Sequence, residues 1–357
     1  MWKSFLRAMS VAMLIVGTMI GAGFASGKEV VTFFGEMPNV FIALISGVLV
    51  FGCSVLFLFV GRRVKKSDIG EVNGAVFGAL RPVADVFMLF NSMTVLGAML
   101  AGTDSLAAEV IDIRPAASIA VGLLCAFTAV KGINGLLKAN AALVPIMIVF
   151  LCVCSCLVID FPFKALSSPI QPYSIVLYVS MNMILGGSVL TTVHKLSPRE
   201  IILASATASV IIAALLMLIM GALHSVSAAH AEMPTLVIAL KSGKPMYFLC
   251  FPVIGASIFT TMLSAFKSLY DYVVGFIPVK PLAALLVLCG GLAVGAFGFG
   301  NVVGKMYPII GAIGIAYLAC NGWYLVKTRV KRKVTRKAAR VKSAAARRLP
   351  KRGSQSK

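Results

Sequence analysis

Residues 11–34, VAMLIVGTMIGAGFASGKEVVTFF, are apolar and long enough to cross a bilayer, yet Gly17, Gly21, Gly23 and Gly27 run through their middle, with Ser26 beside the last. A helical crossing needs about 20 predominantly apolar residues. Glycine inside a helix costs about 1 kcal/mol relative to alanine, and hydrocarbon offers no partner for backbone groups freed by unwinding. The spacing predicts a span broken in its middle, its unwound backbone turned toward protein or a polar cavity. Spans of this kind build mid-membrane sites in secondary transporters.

The 357 residues are 59% hydrophobic and 13% charged, with a mean hydropathy of +0.97. Soluble domains are about 45–50% apolar and about 25% charged, so the chain is a polytopic membrane protein, and water-soluble enzymes and free nucleic-acid-binding proteins are excluded. The net charge of +21 is uneven: 327–357 carries 14 basic residues and no acidic one, leaving +7 for the rest. A basic tail after a final span is a cytoplasmic topology determinant suited to anionic lipid. It lacks aromatic residues for base stacking, so no nucleic acid is expected, and its composition predicts disorder. The eight cysteines fall inside apolar segments with no CxxC pair, as small hydrophobes do. Lys3 and Arg7 before an apolar run resemble a signal peptide, but hydrophobicity resumes beyond the glycines, so the segment is read as a true span.

Apolar stretches give ten spans, near 10–34, 41–60, 83–109, 115–131, 140–160, 173–194, 200–224, 247–267, 281–299 and 307–326. With the N-terminus cytoplasmic, 13 Lys and Arg fall in inside loops and 5 in outside loops, before the tail is counted. That is the expected sense of the positive-inside rule, and it places both termini in the cytoplasm. The expected fold is all-α membrane: ten transmembrane helices as 5+5 inverted repeats, the first about 9–160 and the second about 173–326, within a domain of 1–326 followed by the tail 327–357. An odd repeat inverts the second half, so the sixth span corresponds to the first. It too carries an interruption, Gly186-Gly187-Ser188, with Asn182 a turn earlier. Both spans are therefore expected to be discontinuous, and either one running unbroken from face to face would leave the expected carrier no place to hold its cargo and overturn the two-break reading. The competing reading is packing, since small residues such as the Gly17/Gly21 pair let helices approach closely.

The run Gly21-Ala22-Gly23-Phe24-Ala25-Ser26-Gly27-Lys28-Glu29 resembles the G-A-G-F-A-S-G-[QK]-E segment of bacterial YkvI-like membrane proteins, of the amino acid–polyamine–organocation superfamily with the LeuT-type fold. The resemblance covers about 5–326 and leaves out the tail. It implies a carrier of amino acids or amines coupled to Na⁺ or H⁺, in which the backbone of the two broken spans cradles the cargo. Carried onto this sequence, the substrate-binding positions are Gly21, Ala22, Gly23, Ser26, Gly27, Asn182, Leu185, Gly186, Gly187 and Ser188. Sodium-coupled relatives set hydroxyls of the eighth span against first-span carbonyls, which here implies Thr260 and Thr261, or Thr261 and Ser264, opposite the Ile20 and Ala22 carbonyls. Hard cations take oxygen ligands, though Ser and Thr also join membrane helices as plain hydrogen-bonding residues. A hydroxyl at Ser26 or Ser188 equally serves its own helix backbone.

Lys28 and Glu29 follow the first break. Ionisable groups within a span are costly and face protein interior or water. Lys28 and Glu29 are the gating or proton candidates, Glu29 being suited to gate the outer pathway, bind an amine or carry a proton, and solvation near an interface is the plain alternative. The connection 225–246 is long enough for a short helical lid or a simple link. No nucleotide loop, nucleophile elbow or metal spacing occurs, so no catalytic residue, no metal site and no cofactor beyond a coupling Na⁺ are expected.

The expectation is a multi-pass protein of a bacterial inner membrane, moving a small amino acid or amine by alternating access. The alternative is a receptor or sensor subunit on a transporter scaffold that binds without moving its ligand, motivated by the basic tail. Substrate identity and oligomeric state are open.

Overall fold

The computed structural model describes residues 2–35, 38–66, 69–131, 136–160, 172–228 and 230–348, and every element among them is a helix. The first apolar segment divides into α1 (Trp2–Met19), α2 (Ala22–Ala25) and α3 (Lys28–Phe34). The first break falls at Gly21, whose backbone is extended at φ −79°, ψ −177°. Helical bonding resumes with the Ala25 N–H donating to the Gly21 carbonyl at 2.9 Å. The second lies at Gly27, held at φ +80°, a conformation that glycine adopts without steric cost. The expected interruption of the first span is present.

Next come α4 (Val40–Val64), α5 (Ile69–Phe77), α6 (Arg81–Ala108), α7 (Ala116–Lys131), α8 (Leu136–Val158) and α9 (Pro172–Thr192). They are followed by α10 (Pro198–Val226), α11 (Pro234–Lys241), α12 (Lys244–Val274), α13 (Lys280–Gly295), α14 (Phe299–Asn301) and α15 (Tyr307–Arg348). Five stretches are apolar and long enough to cross a membrane: 40–64, 70–108, 198–226, 244–274 and 299–329. Four shorter apolar helices accompany them. A widened π turn, Val302–Met306, precedes α15, next to Pro308, which has no N–H to give back to the preceding turn. Ser197 and Glu200 form a reciprocal capping box at the start of α10, each satisfying an N–H that the helix leaves without a partner.

The helix pairings repeat with a shift of five spans. α1 packs on α10 as α9 packs on α4, α13 on α6 as α7 on α12, α8 on α10 as α15 on α4, and α8 on α1 as α15 on α9. The contacts α6–α7 and α12–α13 also exchange under that shift, while α4–α10, α6–α12, α7–α13 and α1–α9 map onto themselves.

Two expectations are corrected. The sixth span is continuous: α9 runs from Pro172 to Thr192 through Gly186 and Gly187. Its glycines serve close packing instead. A Cβ on Gly186 would lie 2.5 Å from Thr18 Oγ1 of α1, and one on Gly187 would overlap the Phe57 ring of α4. Neighbouring glycines complete the fit, with Gly61 set against the Thr191 backbone and Gly311 against Leu177. Backbones clamped at this range keep their helical bonds, since unwinding would need space that α1, α4 and α15 fill. The second correction concerns the tail. α15 continues to Arg348, so most of 327–357 is helix, and 349–357 lie outside the described residues. Ala, Lys and Arg are strong helix formers, and extending a formed helix avoids the nucleation cost.

Candidate functional site

The break in the first segment forms the head of a cavity of about 850 Å³. α1 contributes Gly17 and Thr18 to its wall, the break contributes Ile20 and Gly21, and α2 contributes Ala22 and Gly23. Glu29 of α3 and Asn182 of α9 close the deep end, both buried, at 5% and 2% exposure. At the other end the wall reaches exposed Ser268 and Tyr272 of α12, and Arg81 of α6 paired with Asp85 at 3.1 Å. The cavity therefore opens at the end where α1 and α6 begin and α12 finishes.

Glu29 is the centre of the deep end. Its Oε2 lies 3.5 Å from Asn182 Nδ2, which also donates to the Tyr178 carbonyl at 3.2 Å. A Cβ on Gly23 would overlap the Glu29 carboxylate, so this glycine makes room for an acid. Among the described residues no Lys, Arg or His forms an ion pair with Glu29. Since Arg81 and Asp85 pair with each other, Glu29 is the one unpaired carboxylate on the cavity wall among the described residues. A buried charge is ordinarily paired because desolvation is costly, so this position suits a group that meets a cation arriving through the cavity.

The sequence-expected residues divide. Ile20, Gly21, Ala22, Gly23, Glu29, Asn182, Thr260, Thr261 and Ser264 all line the cavity. Gly186 and Gly187 sit in helix contacts and Ser26 and Gly27 face away from it, while the side chains of Leu185 and Ser188 lie outside the described residues. Ser26 Oγ donates to the Gly23 carbonyl at 2.9 Å, taking the plain backbone-bonding role. Thr260 Oγ1 donates to the Ser257 carbonyl at 3.2 Å, and Ser264 Oγ to the Thr260 carbonyl at 3.0 Å. Thr261 has no such bond among the described residues, and its Oγ1 would lie 3.9 Å from a Cβ on Gly21. It is the hydroxyl of this set that faces the break.

Lys28 points away from the cavity, its Nζ donating to the Ala231 carbonyl at 3.0 Å. The Thr235 N–H donates to the Ser26 carbonyl at 2.9 Å, and Gly27 abuts Pro234 and Thr235 of α11. Ser105 donates to Glu232 at 2.7 Å. The 225–246 connection thus forms the short helix α11, laid over the second break and bonded there. Beyond it, in the turn after α6, Arg114 donates to Asp112 at 2.8 Å and holds that carboxyl down to about 2.

Ser257 of α12, on the hydroxyl face of the eighth span, also lines the cavity, as do residues not singled out from sequence, among them Asn91 and Ser92 of α6 and Tyr307 at the start of α15. Asn91 is buried with no partner for Oδ1 among the described residues. Its signal was present, since Asn91-Ser92 is a polar pair inside the apolar run MLFNSMTVL, and polar residues in a span face the bundle interior.

No family model matches the chain. It is 25% identical over 334 residues to the uncharacterized membrane protein YkvI of Bacillus subtilis (strain 168), covering 87% of this chain and 94% of that one. It is 23% identical over 336 residues to the uncharacterized protein YyaD of the same organism, covering 90% and 96%. Among solved structures, Mhp1 in its inward-facing conformation superposes with a TM-score of 0.64 at 12% identity, covering 89% of this chain and 75% of that one. MhsT in complex with L-phenylalanine gives 0.62 at 13% identity, with 86% and 88% covered. A Na⁺-coupled sialic acid symporter in a substrate-bound outward-open state gives 0.57 at 12%, with 89% and 78% covered. These neighbours are transporters rather than enzymes. The chain is accordingly a membrane protein related to YkvI over most of its length, built on the LeuT-type fold that Mhp1 and MhsT share.

Proposed function

We propose that the chain is a secondary transporter working by alternating access on a small amino acid or amine. The observation that carries this reading is the cavity itself: open at one end and headed by the broken first span, with the Lys28–Ala231 and Thr235–Ser26 bonds lying beyond that head. A site reachable from one side and covered from the other is one half of a carrier cycle. The fold shared with Mhp1, MhsT and the sialic acid symporter supports it.

The five-span shift in helix pairings supports ten spans in two inverted repeats, and the charge asymmetry of the loops supports cytoplasmic termini in a bacterial inner membrane. The cavity then faces the cytoplasm and α11 covers the outer side. With α9 continuous, the two breaks expected to meet at mid-membrane do not exist, so the cradle read from sequence fails and the transport reading rests instead on the cavity and the shared fold. The site is a single break set against the side chains of an intact helix. Glu29 favours an amine or ammonium-bearing cargo, because an ammonium supplies the opposite charge that its surroundings lack. For the coupling ion, Thr261 facing the Ile20–Ala22 turn supports Na⁺, while Glu29 offers a proton position. The receptor alternative gains no support, since the basic tail that motivated it continues the last helix.

Purified protein in sealed vesicles, screened for uptake of labelled amino acids and amines under imposed Na⁺ or pH gradients, tests the proposal. Gradient-driven accumulation above equilibrium is expected for at least one amine-bearing solute. Binding without accumulation across the panel would overturn transport.

A further inference from the structure

A second cavity, about 270 Å³, lies at the end of the molecule where α4 finishes, α10 starts and α15 leaves the apolar core. Its wall is Phe59, Arg62, Arg63, Pro198, Leu325 and Arg329, so three guanidinium groups converge with no carboxylate among the lining residues. Arg62 Nη1 is buried there without a hydrogen-bond partner among the described residues. A buried donor without an acceptor carries a desolvation cost, which an acceptor bound beside Arg62 would relieve. The nearest acid in sequence to Pro198, Glu200, is already engaged: it accepts from Ser4 Oγ at 2.8 Å and from the Ser197 N–H at 2.7 Å, with Arg7 at 3.8 Å.

The two helices that supply the arginines are built alike at this level. On α4, Phe59 stands one turn before Arg62 and Arg63, and on α15 Leu325 stands one turn before Arg329. Each apolar residue is nearer the bilayer centre than its arginine, so the pocket has an apolar floor and a cationic rim. That order matches a phospholipid, with glycerol and chain below and phosphate above. Guanidinium groups bind phosphate through paired, charge-assisted N–H···O bonds, and basic pockets between membrane helices on the cytoplasmic side take lipid head groups.

We propose that this pocket binds the phosphate head group of an anionic phospholipid of the cytoplasmic leaflet, tying α4 and α15 together across the start of α10. The inference rests on the cytoplasmic placement of this end and not on transport. It also differs from diffuse attraction to the tail, because it requires one bound lipid at a defined position.

The test titrates full-length protein in neutral detergent with phosphatidylglycerol, phosphatidylcholine or inorganic phosphate. Thermal unfolding and native mass spectrometry are the readouts, at an ionic strength on the order of 0.5 M, where charge interactions are screened within a few ångströms. Phosphatidylglycerol is expected to raise the unfolding temperature with saturation at one tightly held lipid, and phosphatidylcholine to leave it unchanged. Arg62→Gln and Arg329→Gln should each weaken phosphatidylglycerol roughly fivefold, whereas Lys342→Gln in the tail should not. If Arg62→Gln also lowers stability in phosphatidylcholine alone, the exposed Arg329→Gln carries the comparison. Unchanged lipid affinity in Arg329→Gln, an equal loss in Lys342→Gln, or equal stabilisation by inorganic phosphate would overturn the lipid assignment.

Discussion

The carboxylate of Glu29 occupies the space that a side chain on Gly23 would need. The glycine of α2 and the acid of α3 are therefore one feature. α2 and α3 lie close enough for the acid to reach back across the left-handed Gly27 turn, and the cavity wall passes through both residues. Gly23→Ala should push the Glu29 side chain off Asn182 and lower stability by roughly 1–3 kcal/mol. Combining it with Glu29→Ala should recover much of that loss. A double-mutant cycle read by thermal unfolding checks this, and simple additivity would mean that the two residues do not share the space.

Packing rather than unwinding explains Gly187, which makes a sharp contrast testable. Gly187→Ala meets the Phe57 ring and should reduce folded protein, while Phe57→Leu in the same chain should restore it. Yield of monodisperse protein and its unfolding temperature are the measurements. Failure of Phe57→Leu to rescue would count against the packing role.

Thr261 and Thr260 are adjacent but not equivalent. The Thr260 hydroxyl is already bonded to the Ser257 carbonyl, whereas that of Thr261 faces the break. Under the sodium reading, Thr261→Ala should abolish any Na⁺-dependent rise in unfolding temperature and Thr260→Ala should weaken it less, since only a ligand bound to the folded state contributes through linkage. Equal Na⁺ responses in both variants and the parent would remove sodium from this position.

Under the proposed orientation α11 covers the outer side, held there by polar contacts that include Lys28 Nζ to the Ala231 carbonyl. Lys28→Met should loosen α11 and raise the fraction of molecules open to the outside. With the native cysteines replaced, a cysteine at Ser257 should label faster from the outer side in Lys28→Met than in the parent. Identical labelling rates would mean that this bond does not hold the cover.

Much of the layout was legible in the linear order of residues. Apolar length marked the helices to within a few positions, as at α4 and α6, because hydrocarbon thickness dictates how many residues a crossing needs. The break in the first span was legible for a local reason: Gly21 and Gly27 are followed within one turn by residues that restart a helix. The polar character of Asn182 and Glu29 within apolar runs made them candidates, but for Glu29 solvation near an interface stood equally open in the sequence, and its burial was decided by the structure. Glycines alone were ambiguous. Gly21-Ala22-Gly23 and Gly186-Gly187 look alike in sequence, yet one opens the backbone and the other lets two helices touch.

Sequence by itself determined that this is a membrane protein of many helices, where most of the apolar helices begin, that the first is interrupted, and which carboxylate lies within it. Those properties follow from solvent transfer and from backbone conformations set over a few residues. Only the tertiary structure decided that α9 stays whole, that Gly23 accommodates Glu29, and that Arg62 and Arg329, 267 positions apart in the numbering, line one pocket. Each depends on what stands opposite a residue, and the partner comes from a distant helix whose approach is settled by packing rather than by local propensity.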